Sequence, residues 1–222
     1  MNARDIILAR IRKAHNPDNA ASAQALAGHL ALHPRGPMPP ATGDLSVRFR
    51  ERALKLSSDV LETDDVLQVP ALLAQYLNER KLPLQGVCWP ALRDLPWGAA
   101  GLEIQPRPAT NEDLVGVTGA FCAIAETGTL MMLSGPDTPA SSSLLPETHV
   151  AVLDPRRIVA SMEDAWDLLR REHGQLPRAV NFISGPSRTA DIEMTVTLGA
   201  HGPYRVLLIL APLGTLAGSN AA

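Results

Sequence analysis

The segment that most constrains the fold is a nearly continuous apolar run, Tyr204 to Leu210, with the sequence YRVLLIL. A run of this kind is typical of a central strand that is buried on both faces of a sheet. Earlier in the chain, short apolar strands follow amphipathic helices. Helices are predicted at 45–57 and 64–77, and strands at 59–62 and 86–89. This alternation predicts an α/β domain with a largely parallel core.

Two further predicted strands, 129–133 and 149–153, have only the polar loop 134–143 between them. Strands that follow each other without a helix pair antiparallel or lie at the rim of a sheet. The clearest helix is predicted at 157–173, with Gly174 as its end. Its inward-facing residues are Ile158, Val159, Met162, Trp166 and Leu169. We therefore expect a mixed sheet with helices on both faces.

The N-terminal part differs in composition from this domain. A short amphipathic helix capped by Asn2 is predicted first, and the Ala- and Pro-rich segment 15–43 follows it. The prolines at 34–40 forbid regular structure there, whereas 20–32 can hold a helical turn or two. Such an arm either packs on another subunit, giving a homo-oligomer, or forms a disordered surface loop. The expected organisation is an N-terminal helix and arm at 1–43, an α/β domain at 44–213 and a frayed tail at 214–222.

Composition excludes several classes of function. The net charge of −3 gives no electrostatic reason to expect nucleic acid or an anionic membrane as a partner. No apolar run is long enough to span a bilayer, and the N-terminus lacks the pattern of a signal peptide, so we expect a cytoplasmic protein. Cys88 and Cys122 are far apart and belong to no metal-binding motif. We therefore expect no metal and no cofactor of the chain's own.

The first candidate site is the turn that follows an apolar run at 179–183. A strand, a glycine turn and the start of a helix ending at Gly199 are predicted, and the free N–H groups of a helix start favour an anion. The turn offers features that suit a carboxylate or phosphate. Its side chains carry hydroxyl groups, Gly185 lets the backbone come close to a ligand, and Arg188 has a planar guanidinium. The predicted binding residues are Gly185, Ser187, Arg188, Thr189 and Asp191.

A simpler interpretation of the same turn remains open. Ser187 or Thr189 can be the N-cap of the helix, and Asp191 and Glu193 can complement the positive end of its dipole. The turn is not a Walker A loop, because no Lys follows the glycine at the required spacing.

The second candidate site is Glu126, the only charged residue in the stretch 114–133. A carboxylate in such a setting is a candidate acid, base or nucleophile if it faces a cleft, and Thr127, Gly128 and Thr129 are predicted to bind substrate beside it. Alternatively, Glu126 accepts backbone hydrogen bonds in a turn or pairs with an arginine such as Arg188. His201 is the second predicted catalytic residue, since an imidazole exchanges protons near neutrality, although it can equally be a turn residue bonded to backbone.

Four blocks carry a resemblance to a known family. They are AIAETGTL (123–130), SLLPETHVAVL (143–153), GPSRTADIE (185–193) and GAHGP (199–203). In this order and spacing they resemble the LUD-domain family. The resemblance implies a Rossmann-like fold similar to the group of ribose-5-phosphate isomerase, glucosamine-phosphate deaminase and CoA transferases. It also implies a role in bacterial oxidation of L-lactate to pyruvate, beside partner proteins that carry iron–sulfur clusters.

Two functions follow from these observations. The first is a non-redox subunit or accessory protein of a lactate-oxidising system, with a pocket for a small carboxylate at the turn around Arg188. Nucleic acid is not expected as a partner. The second is a stand-alone CoA-transferase-like or sugar-phosphate isomerase-like enzyme that uses Glu126. CoA transferases of similar fold use a glutamate next to a glycine as nucleophile, but a shared fold does not establish a shared reaction.

Overall fold

The computed structural model describes residues 2–14, 20–37, 43–189, 197–199 and 201–214. The chain forms two compact units, Met1–Pro39 and Pro40–Ala222. In the first unit, helix α1 (Ala3–Ala14) is capped as expected, because Asn2 Oδ1 accepts a hydrogen bond of 2.9 Å from Asp5 N. Helix α2 (Ala20–Ala31) is longer than the one or two turns predicted, since alanine favours a helix and the prolines lie outside this segment.

The centre of the second unit is a six-stranded sheet in the order β1-β12-β7-β4-β2-β3. Every neighbouring pair in it is parallel. Its strands are β1 (Asp59–Glu62), β2 (Gln85–Cys88), β3 (Glu103–Pro106), β4 (Val115–Gly119), β7 (Thr148–Leu153) and β12 (Arg205–Leu210). The predicted apolar run is therefore an inner strand, and Leu207 and Leu208 are buried on its opposite faces.

Helices cover both faces of this sheet. Helix α4 (Val69–Glu79) begins with Pro70 in its first turn and packs Leu73 and Leu77 against the first face. Helix α3 (Leu45–Lys55), capped by Asp44, packs Phe49 and Ala53 against the second face. The α/β fold expected from the sequence is confirmed.

The antiparallel pairs belong to a second sheet, in the order β8-β5-β6-β9. Its strands are β5 (Cys122–Ile124), β6 (Thr129–Leu133), β8 (Ile158–Val159) and β9 (Val180–Ile183). Strand β6 pairs antiparallel with β5 and β9. Leu130 and Met132 pack towards the six-stranded sheet, whereas Met131 packs with helix α6 (Met162–His173). Alternate side chains of β6 thus pack into two different layers. Strand β6 is an inner strand of the second sheet and does not lie at the rim of the main sheet.

Two predicted helices differ from the structure. Helix α6 begins at Met162 and not at Arg157, because Ser161 and Asp164 form a capping box. The predicted helix after the Gly185 turn was wrong for the described residues. There β10 (Arg188–Thr189) pairs antiparallel with β11 (Thr197–Leu198), as β-branched threonines favour strands.

Two smaller observations complete the fold. A one-turn helix, α5 (Ser141–Leu144), precedes β7 and lies over β4 and β7. Among the described residues, no helix is long and apolar enough to cross a bilayer. Residues 215–222, most of the predicted tail, lie outside the described part of the chain.

Candidate functional site

The two predicted site stretches meet beside the amino ends of β1 and β12. In the antiparallel pair β6–β9, Leu130 lies opposite Ile183, so Thr129 comes next to Ser184. The turn between α3 and β1, at Leu56 to Ser58, lies against the stretch 184–188, and the last turns of α3, at Arg52 and Ala53, lie against Gly128 in the stretch 126–129. We call the segments 56–58, 126–129 and 184–188 the turn cluster.

Three hydroxyls run through the turn cluster. Thr127 Oγ1 donates to Thr129 Oγ1 at 2.8 Å, and Thr129 Oγ1 lies 2.7 Å from Ser184 Oγ. Thr129 is buried, whereas Thr127 and Ser184 are exposed. Because a hydroxyl both donates and accepts hydrogen bonds, these three hydroxyls can rotate their protons to suit a bound carboxylate, hydroxyl or keto group.

Two glycines bring the backbones of the turn cluster into close contact with the end of α3. Gly128 has φ +69°, and a Cβ there would lie 2.6 Å from Ala53 N and 2.7 Å from the carbonyl carbon of Arg52. Gly185 has φ +82°, and a Cβ there would collide with Leu56 O. A side chain at either position would thus meet both backbone strain and a backbone neighbour that cannot move aside cheaply.

Arg188 is already bonded within the protein. Its Nη2 donates to Ser57 Oγ at 2.5 Å and to Leu56 O at 3.4 Å. These acceptors lie at the C-terminal end of α3, where helix carbonyls lack partners and carry partial negative charge. Arg188 therefore caps α3 in this conformation. Sequence reasoning missed Ser57. The sequence does contain a sign of it: no glycine follows α3, so a residue other than glycine must end the helix in the left-handed conformation, and Ser57 does so with φ +66°.

Glu126 is half-buried in the turn between β5 and β6. Its backbone N–H donates to Ala160 O at 3.1 Å, and Gly128 N closes the turn on Ile124 O at 2.9 Å. Within the described ranges, the Glu126 carboxylate has no hydrogen-bond or ion-pair partner. The predicted alternative of a pair with Arg188 is therefore not formed there.

The loop that carries His201 contacts the turn cluster through backbone bonds. Ser187 N donates to Pro203 O, and Gly199 N donates to Ser187 O, both at 2.9 Å. The side chain of His201 itself is exposed. Thr189 lies in β10, while Asp191 is outside the described residues.

Four buried polar atoms have no hydrogen-bond partner in the described part of the chain: Ser58 Oγ, Ser142 Oγ, His149 Nδ1 and Arg205 Nη1. The other ring nitrogen of His149, Nε2, lies 2.8 Å from Thr118 Oγ1. Complete burial lowers the pKa of His149 to about 4, so its imidazole is neutral at neutral pH. None of these four residues was among the site residues predicted from the sequence.

Both cysteines are buried free thiols in separate layers. Cys88 lies in the cluster under α4, and Cys122 lies in the cluster under α6. Burial raises the pKa of Cys88 to about 11 and that of Cys122 to about 12, so neither is a thiolate at neutral pH. Over the described ranges, no group of three or more His, Cys, Asp or Glu side chains could hold a metal ion.

Comparison with known proteins identifies the family. Residues 107–211 match the family model of the LUD domain. Lactate utilization protein C of Bacillus subtilis is 39% identical over 188 residues, which cover 75% of this chain and 78% of that protein. The chain belongs to the LUD-domain family.

Other relatives match over different lengths. Lactate utilization protein C of Bacillus licheniformis is 35% identical over 185 residues, covering 73% of this chain and 76% of that protein. An uncharacterized protein of Neisseria meningitidis is 44% identical over 104 residues, so the match covers less than half of either chain, 47% and 44%.

A solved structure supports the LUD-domain fold. The crystal structure of a DUF162 family protein from Deinococcus radiodurans has a TM-score of 0.58 and 20% sequence identity. The likeness covers 78% of this chain and 99% of that chain. It establishes a common architecture and says nothing about a common reaction.

Proposed function

We propose that this chain is a non-redox subunit or accessory protein of a bacterial system that oxidises L-lactate to pyruvate. The observation that carries the proposal is membership of the LUD-domain family, with long matches to relatives named lactate utilization protein C. Iron–sulfur proteins of the same system would be its partners. They would supply the redox chemistry that two buried, separate thiols are poorly suited to support.

On this proposal, the turn cluster binds the small 2-hydroxy or 2-oxo acid. The Arg188 guanidinium has an exposed side chain and a planar fork that matches a carboxylate. It would exchange its bonds to Ser57 and Leu56 for the carboxylate of the ligand. The hydroxyls of Thr127 and Ser184 offer hydrogen bonds to the 2-hydroxy or keto oxygen, and the carboxylate of Glu126 is available as a proton acceptor.

Calorimetric titration of the purified chain with L-lactate, pyruvate and CoA tests the site. We expect the parent to bind a small carboxylate and Arg188→Ala to lose that binding, because the fork is the group that pairs with the carboxylate. Arg178→Ala is the matched control, since it removes another exposed arginine away from the turn cluster. Equal affinity in the parent and Arg188→Ala would refute the carboxylate site.

The role in lactate oxidation is tested separately by deleting the gene from a bacterium that carries it. We expect growth on L-lactate to stop and growth on pyruvate to continue. Affinity capture with the tagged chain should then recover proteins with cysteine clusters. Undiminished growth on L-lactate would contradict the role even if the carboxylate site were real.

A second candidate function rests on the unpaired carboxylate of Glu126 beside Gly128. A stand-alone CoA-transferase-like enzyme would use Glu126 to attack an acyl-CoA thioester, forming a glutamyl–acyl anhydride and releasing the CoA thiolate. Incubation with an acyl-CoA, followed by mass spectrometry, should then show an acyl or CoA adduct that Glu126→Gln lacks. An unmodified parent protein would remove this candidate.

A further inference from the structure

A second group of charged side chains lies on the α4 face of the six-stranded sheet, at the same amino ends of β1 and β12 that the turn cluster adjoins. Asp59 is opposite Leu207 in the β1–β12 pair, and Arg205 comes two residues before Leu207. Since alternate residues of a strand share a face, Asp59 and Arg205 point to the same side. Tyr76 and Arg80, at the end of α4, reach this side as well.

The single carboxylate of this group is already occupied. Asp59 Oδ2 accepts a hydrogen bond of 2.7 Å from the Tyr76 hydroxyl and one of 3.2 Å from Arg80 Nη2. The Arg80 guanidinium also lies over the Tyr76 ring, 3.8 Å from its centroid. Desolvation, with help from Asp59, raises the pKa of Tyr76 well above its ordinary value, so the hydroxyl stays a proton donor. Asp59, Tyr76 and Arg80 therefore satisfy one another.

Arg205 takes no part in the hydrogen bonds among Asp59, Tyr76 and Arg80. Its Cζ lies 5.0 Å from the centroid of the exposed Tyr204 ring, and its side chain is half-buried. Nη1 is enclosed, and in the described residues the guanidinium donates to no acceptor. A partly buried guanidinium without a counter-charge is costly, because it loses water and gains no acceptor in return. The field of Arg80 and Arg205 together exceeds that of Asp59 by one positive charge.

We propose that Arg205, with Arg80 beside it, forms a second anion site that takes one small oxyanion, a carboxylate or a phosphate. A bound oxyanion would accept hydrogen bonds from the Arg205 fork after a rotation of the guanidinium away from the Tyr204 ring. The site is separate from the turn cluster, and it stands on contacts that involve neither Glu126 nor Arg188.

Calorimetric titration with inorganic phosphate, L-lactate and pyruvate tests this site. We expect the parent to bind at least one of them and Arg205→Gln to weaken that binding by about tenfold or more. Arg205→Lys keeps the charge and loses the fork, so we expect an intermediate loss. It serves as the informative variant if circular dichroism shows that Arg205→Gln is not folded.

Two further variants separate the sites and the charges. Asp59→Asn removes the carboxylate that accepts the Arg80 hydrogen bond, so affinity should rise several-fold. Arg188→Ala should leave this binding unchanged, whereas it abolishes carboxylate binding at the turn cluster. The second site would be overturned if the parent bound none of the three anions, or if Arg205→Gln bound them with the same affinity as the parent. Preference for phosphate over L-lactate and pyruvate would identify the natural ligand as a phosphate.

Discussion

The two ends of the six-stranded sheet differ in how completely their polar groups are bonded. At the carboxyl end, Asp154 accepts hydrogen bonds from Arg156 N at 2.9 Å and Leu213 N at 3.1 Å, and Thr63 N donates to Leu210 O at 2.9 Å. At the amino end lie all four buried polar atoms without a partner in the described residues. They belong to Ser58, Ser142, His149 and Arg205.

Both proposed ligand sites lie at the amino end. In open α/β sheets the usual ligand site is the crevice outside the carboxyl ends of the strands. In this protein the hydrogen bonds at the carboxyl end are satisfied by the chain itself. A buried polar group left unpaired costs about 1–3 kcal/mol, so the amino end carries the larger desolvation cost within the described part of the chain.

The largest expected effect compares two glycines at opposite ends of β4. A Cβ at Gly116, near the amino end, would collide with Ser142 O and lie 2.7 Å from Pro146 Cγ, because α5 covers this position. A Cβ at Gly119, at the carboxyl end, would make ordinary contact with Trp89 at 3.8 Å. We expect Gly116→Ala to lower the free energy of unfolding by about 3 kcal/mol and Gly119→Ala by less than about 1 kcal/mol, measured by urea denaturation. Equal losses would mean that the amino end is no more tightly covered.

The next effect is a dependence of stability on pH that arises at the amino end. His149 has a pKa of about 4 in the folded protein and 6.5 as its ordinary value, so the unfolded chain binds the proton more tightly. Its contribution is complete above pH 6.5 and is lost as the pH falls towards 4. Between pH 7 and pH 5 we expect a loss of about 2 kcal/mol in the free energy of unfolding, measured by urea denaturation.

His149→Gln should remove most of this loss between pH 7 and pH 5. Asp154, at the other end, provides the contrast. Hydrogen bonds from Arg156 lower the pKa of Asp154, so its contribution is present above its ordinary pKa near 4 and lost only below it. Asp154→Asn should therefore keep the pH dependence between 7 and 5. The opposite pattern in the two variants would assign the dependence to the carboxyl end.

The smallest effect concerns the cap of α3. Arg188→Ala removes two hydrogen bonds at the end of that helix, but the side chain is exposed, so we expect a loss of only about 0.5–1 kcal/mol in the free energy of unfolding. The same urea titration of Arg178→Ala gives the baseline for an exposed arginine. A loss above about 2 kcal/mol would show that Arg188 is mainly structural, which would weaken the case for a ligand there.

Local patterns in the sequence predicted much of the fold. The apolar run at 204–210 is an inner strand, and the runs at 59–62 and 129–133 form strands with the predicted bounds. The helix predicted at 157–173 starts too early, since Ile158 and Val159 suit the inner face of a helix and a buried strand equally well. Only the pairing of β8 with β5 decides between the two.

The candidate site was predictable only where its residues are close in sequence. The glycine turns at 126–129 and 184–188 were identified, but their contact depends on the pairing of β6 with β9. The role of Ser57 follows only from its hydrogen bond to Arg188 in the structure. The surplus positive charge at Arg205 likewise follows only from the register between β1 and β12. Of the helix expected after Gly185, the described residues 188–189 and 197–198 form a strand pair, which outweighs their local helix propensity.

The position of β12 has a consequence for how the protein is made. Among the strands that the structure describes, β12 comes last in sequence, and it lies between the edge strand β1 and β7. Until residues 205–210 have left the ribosome, the backbone N–H and C=O groups along the edges of β1 and β7 that pair with β12 stay open. The N-terminal side of the domain must therefore wait for its last strand, and chains that stop before residue 205 should be captured by chaperones or degraded.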